Sequence, residues 1–590
     1  MWQFIKYVLA TIVGIFLFSI IAVFLLIGLG AAISSSSNDK VEVKDNSVLK
    51  LNLNQLVVED APEDPLGPFG DMFSSGGAYT GVVQVKEALR HAQNDSHIKG
   101  IYLEANYPAV GFGNIEEIRN TLLDFKKSGK FIYAYGEVFS EGGYYLSSVA
   151  DKIFINPAGG MELNGLSANI SFFKGTLEKL DIKPEIFKVG EFKSAVEPFI
   201  REDMSEPSKL QTKSFLGSIS GHIYSNIAKS RSLQVSQLNA WADSLKINTA
   251  QDALNYKLIT NVGYFDEFED ELKKALKIKS EAKVSYITLS KYLKADHGED
   301  TGDFDKKIAV IVAEGDIVDG RGEDGQVGSD KIAEELRKAR KDKNVKAVVF
   351  RINSPGGSAL ASDVMWREVT LTSKVKPIIA SMSDYAASGG YYIAMGCDTI
   401  VAQPTTITGS IGIFAMLFNF EGFLKNKLGV TTDHVNTHQH ANFPMVSKEM
   451  SAFEKSVIQK EIEQGYETFT TKAAQGRKMS VEKLKSLASG RVWSGIEAKQ
   501  NGLVDVLGGL EDAIKIAAKA AKVKEGDYRV RYYPIKKDFF TALFDKADEE
   551  VKMRSMKAQF GEMLPYVQKI QQLKTWQGIQ ARMPFDMKLQ

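Results

Sequence analysis

The chain has 590 residues with 73 basic and 73 acidic side chains, so its formal net charge is zero. At about 150 residues per domain, this length is too great for one core and predicts about two to four domains. Balanced charge argues against a nucleic-acid-binding protein, whose domains are normally strongly basic. The single cysteine, Cys397, excludes an internal disulfide and a cysteine zinc cluster.

The first predicted element is a transmembrane anchor at residues 7–33. This stretch contains no charged side chain, and a helix of about 20 residues already crosses a hydrocarbon core of about 30 Å. A cleaved signal peptide is the alternative, but its apolar region would be only about 7–15 residues long. Lys6 and the N-terminal amine precede the helix. They place residues 1–6 in the cytoplasm and the rest of the chain on the periplasmic side.

The chain beyond the anchor contains an internal repeat at a constant offset of 247 residues. Residues 131–145 align without gaps with residues 378–392, and both segments end in Gly-Gly-Tyr-Tyr. Upstream, residues 98–101 fall on residues 345–348 in the same register. A repeat of this kind means that one structural unit is used twice, so we predict a fold made of two copies of that unit.

Each copy of the repeat has the pattern of alternating strands and helices. In the second copy, apolar strands are predicted at 307–314, 346–352 and 377–382, and a helix is predicted at 329–341. Strands that alternate with helices of about 10–15 residues predict right-handed βαβ units and a largely parallel sheet.

The predicted boundaries follow from these patterns. The parts are an N-terminal domain at 47–293, a polar linker at 294–305, a C-terminal domain at 306–537 and a helical tail at 538–590. An acidic, proline-rich loop at 59–76 is predicted to be a flap or rim.

The two copies differ at two turns. The second copy has Asn353-Ser-Pro-Gly-Gly-Ser358 directly after a strand, whereas the first has Asn106-Tyr-Pro-Ala-Val110. Glycines in such a turn let backbone N–H groups approach a ligand closely. The second copy also has Ser388 between small residues in a strand-to-helix turn, where the first has Glu141. Only the second copy therefore keeps a candidate nucleophile beside exposed amides.

A serine hydroxyl needs a neighbouring base to become a nucleophile. His434, His438 and His440 lie close together in the sequence but lack a His-Glu-x-x-His pattern, and we interpret them as part of a solvated loop. A lysine is the alternative base, and it must be buried to be neutral near pH 7. Lys193, among small and apolar residues of the first copy, fits this requirement, and its counterpart in the second copy is His440.

Several motifs in one order resemble a known family. They are Ser-Pro-Gly-Gly-Ser, Ala-Ala-Ser-Gly-Gly-Tyr-Tyr, Thr408-Gly-Ser-Ile-Gly-Ile413, Phe192-Lys-Ser-Ala-Val-Glu-Pro198 and Gly490-Arg-Val-Trp-Ser-Gly495. Together they resemble the signal peptide peptidase A (protease IV) family in its long, duplicated bacterial type. The resemblance covers nearly the whole chain. It implies an α/β fold of tandem duplicated Clp-protease/crotonase-like βα domains behind an N-terminal transmembrane helix.

The resemblance also implies a serine endopeptidase whose Ser/Lys dyad is assembled across the duplication. In this reading Ser388 is the nucleophile, Lys193 is the general base and Ser410 orients the lysine. The amides implied for the oxyanion hole are those of Gly356 or Gly357 together with Gly389. No metal and no cofactor are implied.

The implied substrates are cleaved signal peptides and other apolar peptides. The implied setting is the bacterial inner membrane, crossed once, with the catalytic domains on the periplasmic side of a homo-oligomer, a tetramer. Two alternatives stay open from the sequence. One is a crotonase-like acyl-CoA enzyme, which also uses paired oxyanion amides, and the other is a non-catalytic membrane scaffold of the same fold.

Overall fold

The computed structural model describes residues 41–61, 79–295, 305–323, 325–534 and 579–583, together with residue 556 and short pieces between residues 2 and 21. Most of the predicted anchor at 7–33, the linker at 294–305 and the loop at 59–76 lie outside these residues. Within the described residues, no helix is both long enough and apolar enough to cross a membrane.

The described chain contains 22 strands. They are β1 Ser47–Asn52, β2 Leu56–Val58, β3 Tyr79–Gly81, β4 Ile98–Glu104, β5 Phe131–Phe139, β6 Lys152–Met161, β7 Lys183–Lys188, β8 Asn261–Val262, β9 Ser285–Thr288, β10 Lys307–Glu314, β11 Asp316–Val318, β12 Gln326–Gly328, β13 Val345–Ser354, β14 Gly356–Ser358, β15 Ile378–Ala387, β16 Thr399–Ala402, β17 Ile407–Gly409, β18 Phe414–Asn419, β19 Val492–Ser494, β20 Val506–Leu507, β21 Arg529–Tyr533 and β22 Ile579–Arg582.

The α-helices from residue 82 onward alternate with many of these strands. They are α1 Val82–Asn94, α2 Phe112–Lys126, α3 Glu141–Ser147, α4 Lys174–Lys179, α5 Glu197–Ile200, α6 Glu206–Arg231, α7 Val235–Asp243, α8 Ala250–Asn255, α9 Phe265–Leu276, α10 Leu289–Leu293, α11 Ser329–Lys341, α12 Ala359–Ser373, α13 Gly389–Ala394, α14 Ala452–Arg477, α15 Val481–Leu487, α16 Gly495–Asn501 and α17 Leu510–Ala520. A 3₁₀ turn, Ser194–Val196, and a π-helical turn, Phe423–Lys427, complete the set.

The internal repeat is confirmed, because equivalent helices in the two copies have equal lengths. Helices α1 and α11 each have 13 residues, α2 and α12 each have 15, and α6 and α14 each have 26. Strands β4, β5 and β6 begin 247 residues before β13, β15 and β16. The protein is therefore a mixed α/β structure built from one unit used twice.

Each copy contributes one central sheet. The first sheet has the order β8-β6-β5-β4-β1-β9, and all its described pairings are parallel. The second has the order β19-β17-β15-β13-β10-β21, with β16 and β20 branching from β15, and only β17–β19 is antiparallel. Strands β13 and β15 are buried along almost their whole length, because helices cover both faces of a parallel sheet.

A third sheet joins the copies beside the carboxyl ends of β13 and β15. Its order is β12-β11-β14-β22-β18-β7, so β7 of the first copy pairs with β18 of the second. Strand β22 is the described end of the tail for which the sequence predicts helix. It is a strand because β14 and β18 both pair with it, and pairing partners of this kind are not visible in a local pattern.

Candidate active site

Lys193 lies in the loop between β7 and the 3₁₀ turn, and its side chain is completely buried. Its Nζ donates to Ser388 Oγ at 2.8 Å and lies 3.1 Å from both the carbonyl and the hydroxyl oxygen of Ser410. No carboxylate forms an ion pair with it among the described residues, and the Phe414 ring centroid is 5.9 Å from Nζ. Burial without a counter-charge disfavours the ammonium form, so the pKa of Lys193 lies well below its ordinary value.

Ser388 ends strand β15 and precedes helix α13. It adopts φ 54° and ψ −108°, a region that a residue with a Cβ rarely enters and that is typical of strained functional sites. The Ser388 amide donates to Gly409 O at 2.8 Å, which holds the turn in place. Although Ser388 occupies the N-cap position of α13, its hydroxyl makes no capping hydrogen bond. The hydroxyl is instead the partner of Lys193.

Ser410 lies in the turn between β17 and β18 and is also fully buried. Its φ is 48°, and its amide donates to Arg491 O at 2.7 Å. The structure therefore brings together the three side chains Lys193, Ser388 and Ser410, which come from both copies of the repeat.

The glycines predicted to surround the nucleophile lie close to one another. Gly356 and Gly357 have φ values of 102° and 153°, which strain any residue with a side chain. A Cβ built on Gly356 would lie 2.8 Å from the amide nitrogen of Gly389, and one built on Gly389 would lie 3.2 Å from Gly356 Cα. Backbone therefore packs against backbone at this point, and any side chain would separate the two turns.

Two further residues hold the lysine loop in position, and the sequence assigned neither of them a role. Gly490, with φ 81°, packs so closely that a Cβ there would lie 2.6–2.7 Å from the backbone and Cβ of Lys193. Gln211 on α6 is fully buried and bridges the loop to β19: it donates to Phe192 O at 3.0 Å and accepts from Val492 N at 3.0 Å. Gly490 was visible only as part of the family motif, and one glutamine in a long helix carries no sequence signal.

A buried ionic cluster joins the copies behind this site. Arg351 is 1% exposed and donates to Glu59 at 2.7 Å and to Asn114 at 3.1 Å. Burial beside Glu59 raises the pKa of Asp384, four residues before Ser388, to about 6. Burial and the same neighbour raise the pKa of Glu314 to about 8. The cluster makes the relative position of the two copies depend on specific polar contacts.

The three histidines lie away from these groups. His434 and His438 are exposed, and His440 Nδ1 lies 3.0 Å from Glu454 Oε1. His440, the counterpart of Lys193, therefore does not contact either serine. Cys397 is buried in the core of the second copy, and burial raises its thiol pKa well above the ordinary value.

Comparison with known proteins identifies the family to which the chain belongs. The model of peptidase family S49 matches residues 124–279 and 370–524, one segment in each copy. The chain is 34% identical over 547 residues to Protease 4 of Salmonella typhi, a match that covers 90% of this chain and 87% of that protein. It is 37% identical over 469 residues to Protease 4 of Haemophilus influenzae, with 76% and 74% covered.

The protein is thus a serine peptidase. More specifically, the chain belongs to peptidase family S49, in the form with two repeats. This membership argues against both the acyl-CoA enzyme and the non-catalytic scaffold.

The solved structures that match include ClpP1 from Listeria monocytogenes. That match has 16% identity and a TM-score of 0.24, and it covers 35% of this chain and 94% of the other. The more specific Clp-protease/crotonase-like assignment stays a prediction, because a score this low supports no conclusion.

Proposed function

We propose that Ser388 and Lys193 form the catalytic dyad of a membrane-anchored endopeptidase that degrades cleaved signal peptides and other apolar peptides. The observation that carries the proposal is the 2.8 Å hydrogen bond from Lys193 Nζ to Ser388 Oγ, with both side chains fully buried. A lysine that is neutral near pH 7 can accept the hydroxyl proton, and burial lowers the pKa of Lys193 in the required direction.

The reaction follows from this arrangement. As Ser388 Oγ attacks a peptide carbonyl, Lys193 accepts its proton and later gives it to the departing amine, and water then releases the acyl-enzyme. Ser410 contributes two oxygens at 3.1 Å that orient the amine. The Gly356 amide already donates to Ser354 Oγ at 3.2 Å, so we assign the oxyanion hole to the amides of Gly357 and Gly389. Each such donor is worth about 2.7–4 kcal/mol in a well-studied protease.

The dyad is tested by covalent labelling of the full-length protein with a serine-reactive phosphonate. We expect one adduct on Ser388, and we expect Ser388→Ala to abolish it. Ser147→Ala is the matched control, because Ser147 is an equally buried serine in the first copy and its removal should leave labelling unchanged. An adduct on another residue in wild type, or labelling that persists in Ser388→Ala, contradicts the assignment.

The membrane setting and substrate class are supported by two observations. Residues 7–33 contain no charged side chain. In addition, the chain is 36% identical over 230 residues to a protein of Enterococcus faecium described as a signal peptide peptidase, a match covering 38% of this chain and 66% of that protein. An anchored enzyme meets membrane-bound peptides at a raised effective concentration.

The proposed topology and assembly can be tested on membranes. Full-length protein should resist alkaline extraction from bacterial inner membranes, whereas a chain that begins at residue 37 should be extracted. Protease added to spheroplasts should digest the catalytic domains, since we place them on the periplasmic side. Light scattering of the detergent-solubilised enzyme tests the proposed tetramer. Extraction of the full-length chain at high pH would contradict the anchor.

A further inference from the structure

The N-terminus of helix α2 in the first copy is capped by a residue of the second copy. The N-cap position of α2 is Gly111, which has no side chain to accept a hydrogen bond. Asp384 on β15 takes this role, because its Oδ1 accepts from the amide of Asn114, the third residue of the helix, at 2.8 Å. An N-cap side chain normally makes this bond within its own helix. The cap of α2 therefore crosses from one copy to the other.

The equivalent helix of the second copy, α12, keeps its own cap. Its N-cap residue Ser358 is the counterpart of Gly111 in the repeat, and its hydroxyl accepts from Ala361 N at 3.2 Å. Space also fixes the arrangement in the first copy, because a Cβ built on Gly111 would lie 2.6 Å from Asp384 Oδ1. A serine at this position would displace the carboxylate. Helix α2 thus has no local side-chain cap and receives one from the other copy.

The part of β15 around Asp384 is held in further directions. Asp384 Oδ2 accepts from Asn114 Nδ2 at 3.0 Å and lies 3.4 Å from Asn353 Nδ2. Asn353 Oδ1 accepts from Tyr385 N at 3.2 Å, so Asn353 joins the end of β13 to β15. The residue before Asp384, Ser383, donates from its hydroxyl to Asn114 Oδ1 at 2.8 Å. Two consecutive residues of β15 therefore bind Asn114 of the first copy.

Both strands that leave this contact lead to the candidate active site. Ser388 follows Asp384 on the same strand end, and the glycine turn that contains Gly356 follows Asn353. Ser388 has a φ of 54°, and a strained conformation of this kind persists only where the surrounding structure determines it. The contact with α2 supplies such a constraint directly before the turn.

Helix α2 is also connected to the other two side chains of the site. Thr405, which precedes strand β17, donates to Phe112 O at 2.9 Å, and β17 ends one residue before Ser410. On its other side, α2 is hydrogen-bonded to α6. Helix α6 carries Gln211, which binds the loop of Lys193. One helix of the first copy therefore connects the segments that carry all three side chains.

We propose that Asp384 is a positioning residue for the reaction: its carboxylate caps α2 across the copies and so holds Ser388 within hydrogen-bonding distance of Lys193. The proposal rests on the proposed function, since it takes these two side chains as the catalytic dyad. Asp384 acts through its own strand and through Asn353, and not by contact with the reacting atoms. Its loss should therefore slow the chemical step and leave peptide binding unchanged.

The first test compares Asp384→Asn with the wild-type full-length enzyme. The change keeps the shape of the side chain but replaces one acceptor oxygen by an NH₂ group, which repels the donors of Asn114 or Asn353. We expect kcat for an apolar peptide to fall at least about tenfold, because a displacement of about 1 Å at a catalytic group costs about 10²-fold. KM should stay within about threefold. Phosphonate labelling of Ser388 should slow by a similar factor and still end at one adduct per chain.

Stability separates a positioning role from a purely structural one. Burial beside Glu59 raises the pKa of Asp384 to about 6, above its value in the unfolded chain, so at pH 7 the ionised carboxylate lowers the free energy of unfolding. Asparagine carries no charge, and Asp384→Asn should melt no more than about 2 °C below wild type at pH 7. A variant whose kcat stays within about threefold of wild type overturns the proposal. So does one whose melting temperature and final labelling fall together with its activity.

Two other carboxylates serve as matched controls. Glu137 is the counterpart of Asp384 in the first copy and is exposed, so Glu137→Gln should leave kcat and the melting temperature unchanged. Glu117 on α2 makes the reverse contact: it accepts from Leu510 N of the second copy at 3.0 Å and pairs with Lys86. Glu117→Gln should lower the melting temperature, because the buried ammonium loses this partner, and keep kcat within about threefold. If Asp384→Asn shows this same pattern, its role is structural and the proposal fails.

The second test is a double-mutant cycle with Asn353→Ala. Because Asp384 acts through Asn353, the two losses of kcat should not multiply. We expect the double variant Asp384→Asn/Asn353→Ala to be no more than about threefold slower than the slower single variant. Losses that multiply would overturn this route.

Ser388→Ala in the same assays distinguishes the two proposals. If Ser388→Ala keeps its activity, the proposed function fails, and the positioning role fails with it. If Ser388→Ala is inactive while Asp384→Asn matches wild type, only the positioning role of Asp384 is overturned.

Discussion

The two copies of the repeat share the same order of strands and helices but differ at one turn, which follows β5 in the first copy and β15 in the second. In the first copy, Ser140 caps α3 in an ordinary extended conformation, and buried Glu141 accepts hydrogen bonds from the Asn164 and Gly165 amides. In the second copy, Ser388 takes a left-handed conformation, leaves α13 uncapped and faces Lys193. The comparison shows that the same turn serves stability in one copy and carries strain in the other, as expected where chemistry takes place.

The largest expected effect comes from removing the nucleophile. Ser388→Ala should lower kcat/KM for an apolar peptide by about 10⁴- to 10⁶-fold, because the loss of a catalytic serine leaves only binding and oxyanion stabilisation. Initial rates with a fluorogenic peptide measure this. The variant should keep a wild-type melting temperature to within a few degrees. Activity within tenfold of wild type would falsify the dyad.

Lys193→Met should lower kcat/KM by at least about 10³-fold, and the remaining kcat/KM should no longer depend on pH. In wild type, kcat/KM should rise with pH as the Lys193 ammonium loses its proton, with a midpoint well below 10.5. The pKa of this lysine in the folded protein lies below its value in the unfolded chain. Between these two pKa values the unfolded chain binds one proton more than the folded protein, so the lysine lowers the free energy of unfolding. Lys193→Met should therefore raise the melting temperature at pH 7. Because the stability cost of the depressed pKa fades as the pH rises towards 10.5, a difference in melting temperature between variant and wild type that stays constant from pH 7 to pH 10 would contradict burial of a neutral lysine.

Gly490→Ala tests the space behind the lysine. We expect at least a hundredfold loss of kcat, because the new Cβ would lie 2.6 Å from Lys193 N and a displacement of about 1 Å at a catalytic group costs about 10²-fold. Gly129→Ala is the matched control: its φ is 78°, but nothing lies within 4 Å of the added Cβ. Both changes should cost about 1–2 kcal/mol of backbone strain, and only Gly490→Ala should lose activity. Equal activities would show that this contact does not position the lysine.

The smallest expected effect on activity comes from making the first copy resemble the second. Glu141→Ser should change kcat/KM by less than about twofold, because no lysine of the described residues is hydrogen-bonded at this turn: His440, the counterpart of Lys193, contacts Glu454. It should lower the free energy of unfolding by about 1–3 kcal/mol, since the Asn164 and Gly165 amides both lose their hydrogen-bond acceptor. Urea denaturation and peptide assays measure the two effects. A variant that labels with phosphonate at position 141 would overturn the view that only one copy is catalytic.

Much of the fold was predictable, because the information is local. The offset between the copies, the strands predicted at 307–314, 346–352 and 377–382 and the helix at 329–341 all follow from sequence patterns, and the structure confirms them to within a few residues at their ends. The C-terminal tail shows what a local sequence pattern cannot predict. The sequence predicts a helix at 538–590, yet its described end, Ile579–Arg582, is a strand defined by partners more than 150 residues away.

The sequence by itself determined that one unit is used twice and that only the second copy keeps glycines around a serine. It also pointed to Lys193, first through the small and apolar residues around it and then through family resemblance, but not through any contact. The tertiary structure decided which side chains meet: the Lys193–Ser388 hydrogen bond joins residues 195 positions apart, and the third sheet brings strands β7, β14 and β22 together in one sheet. The physical reason is that periodicity records which face of an element is buried, whereas a catalytic contact depends on how separate elements pack against one another.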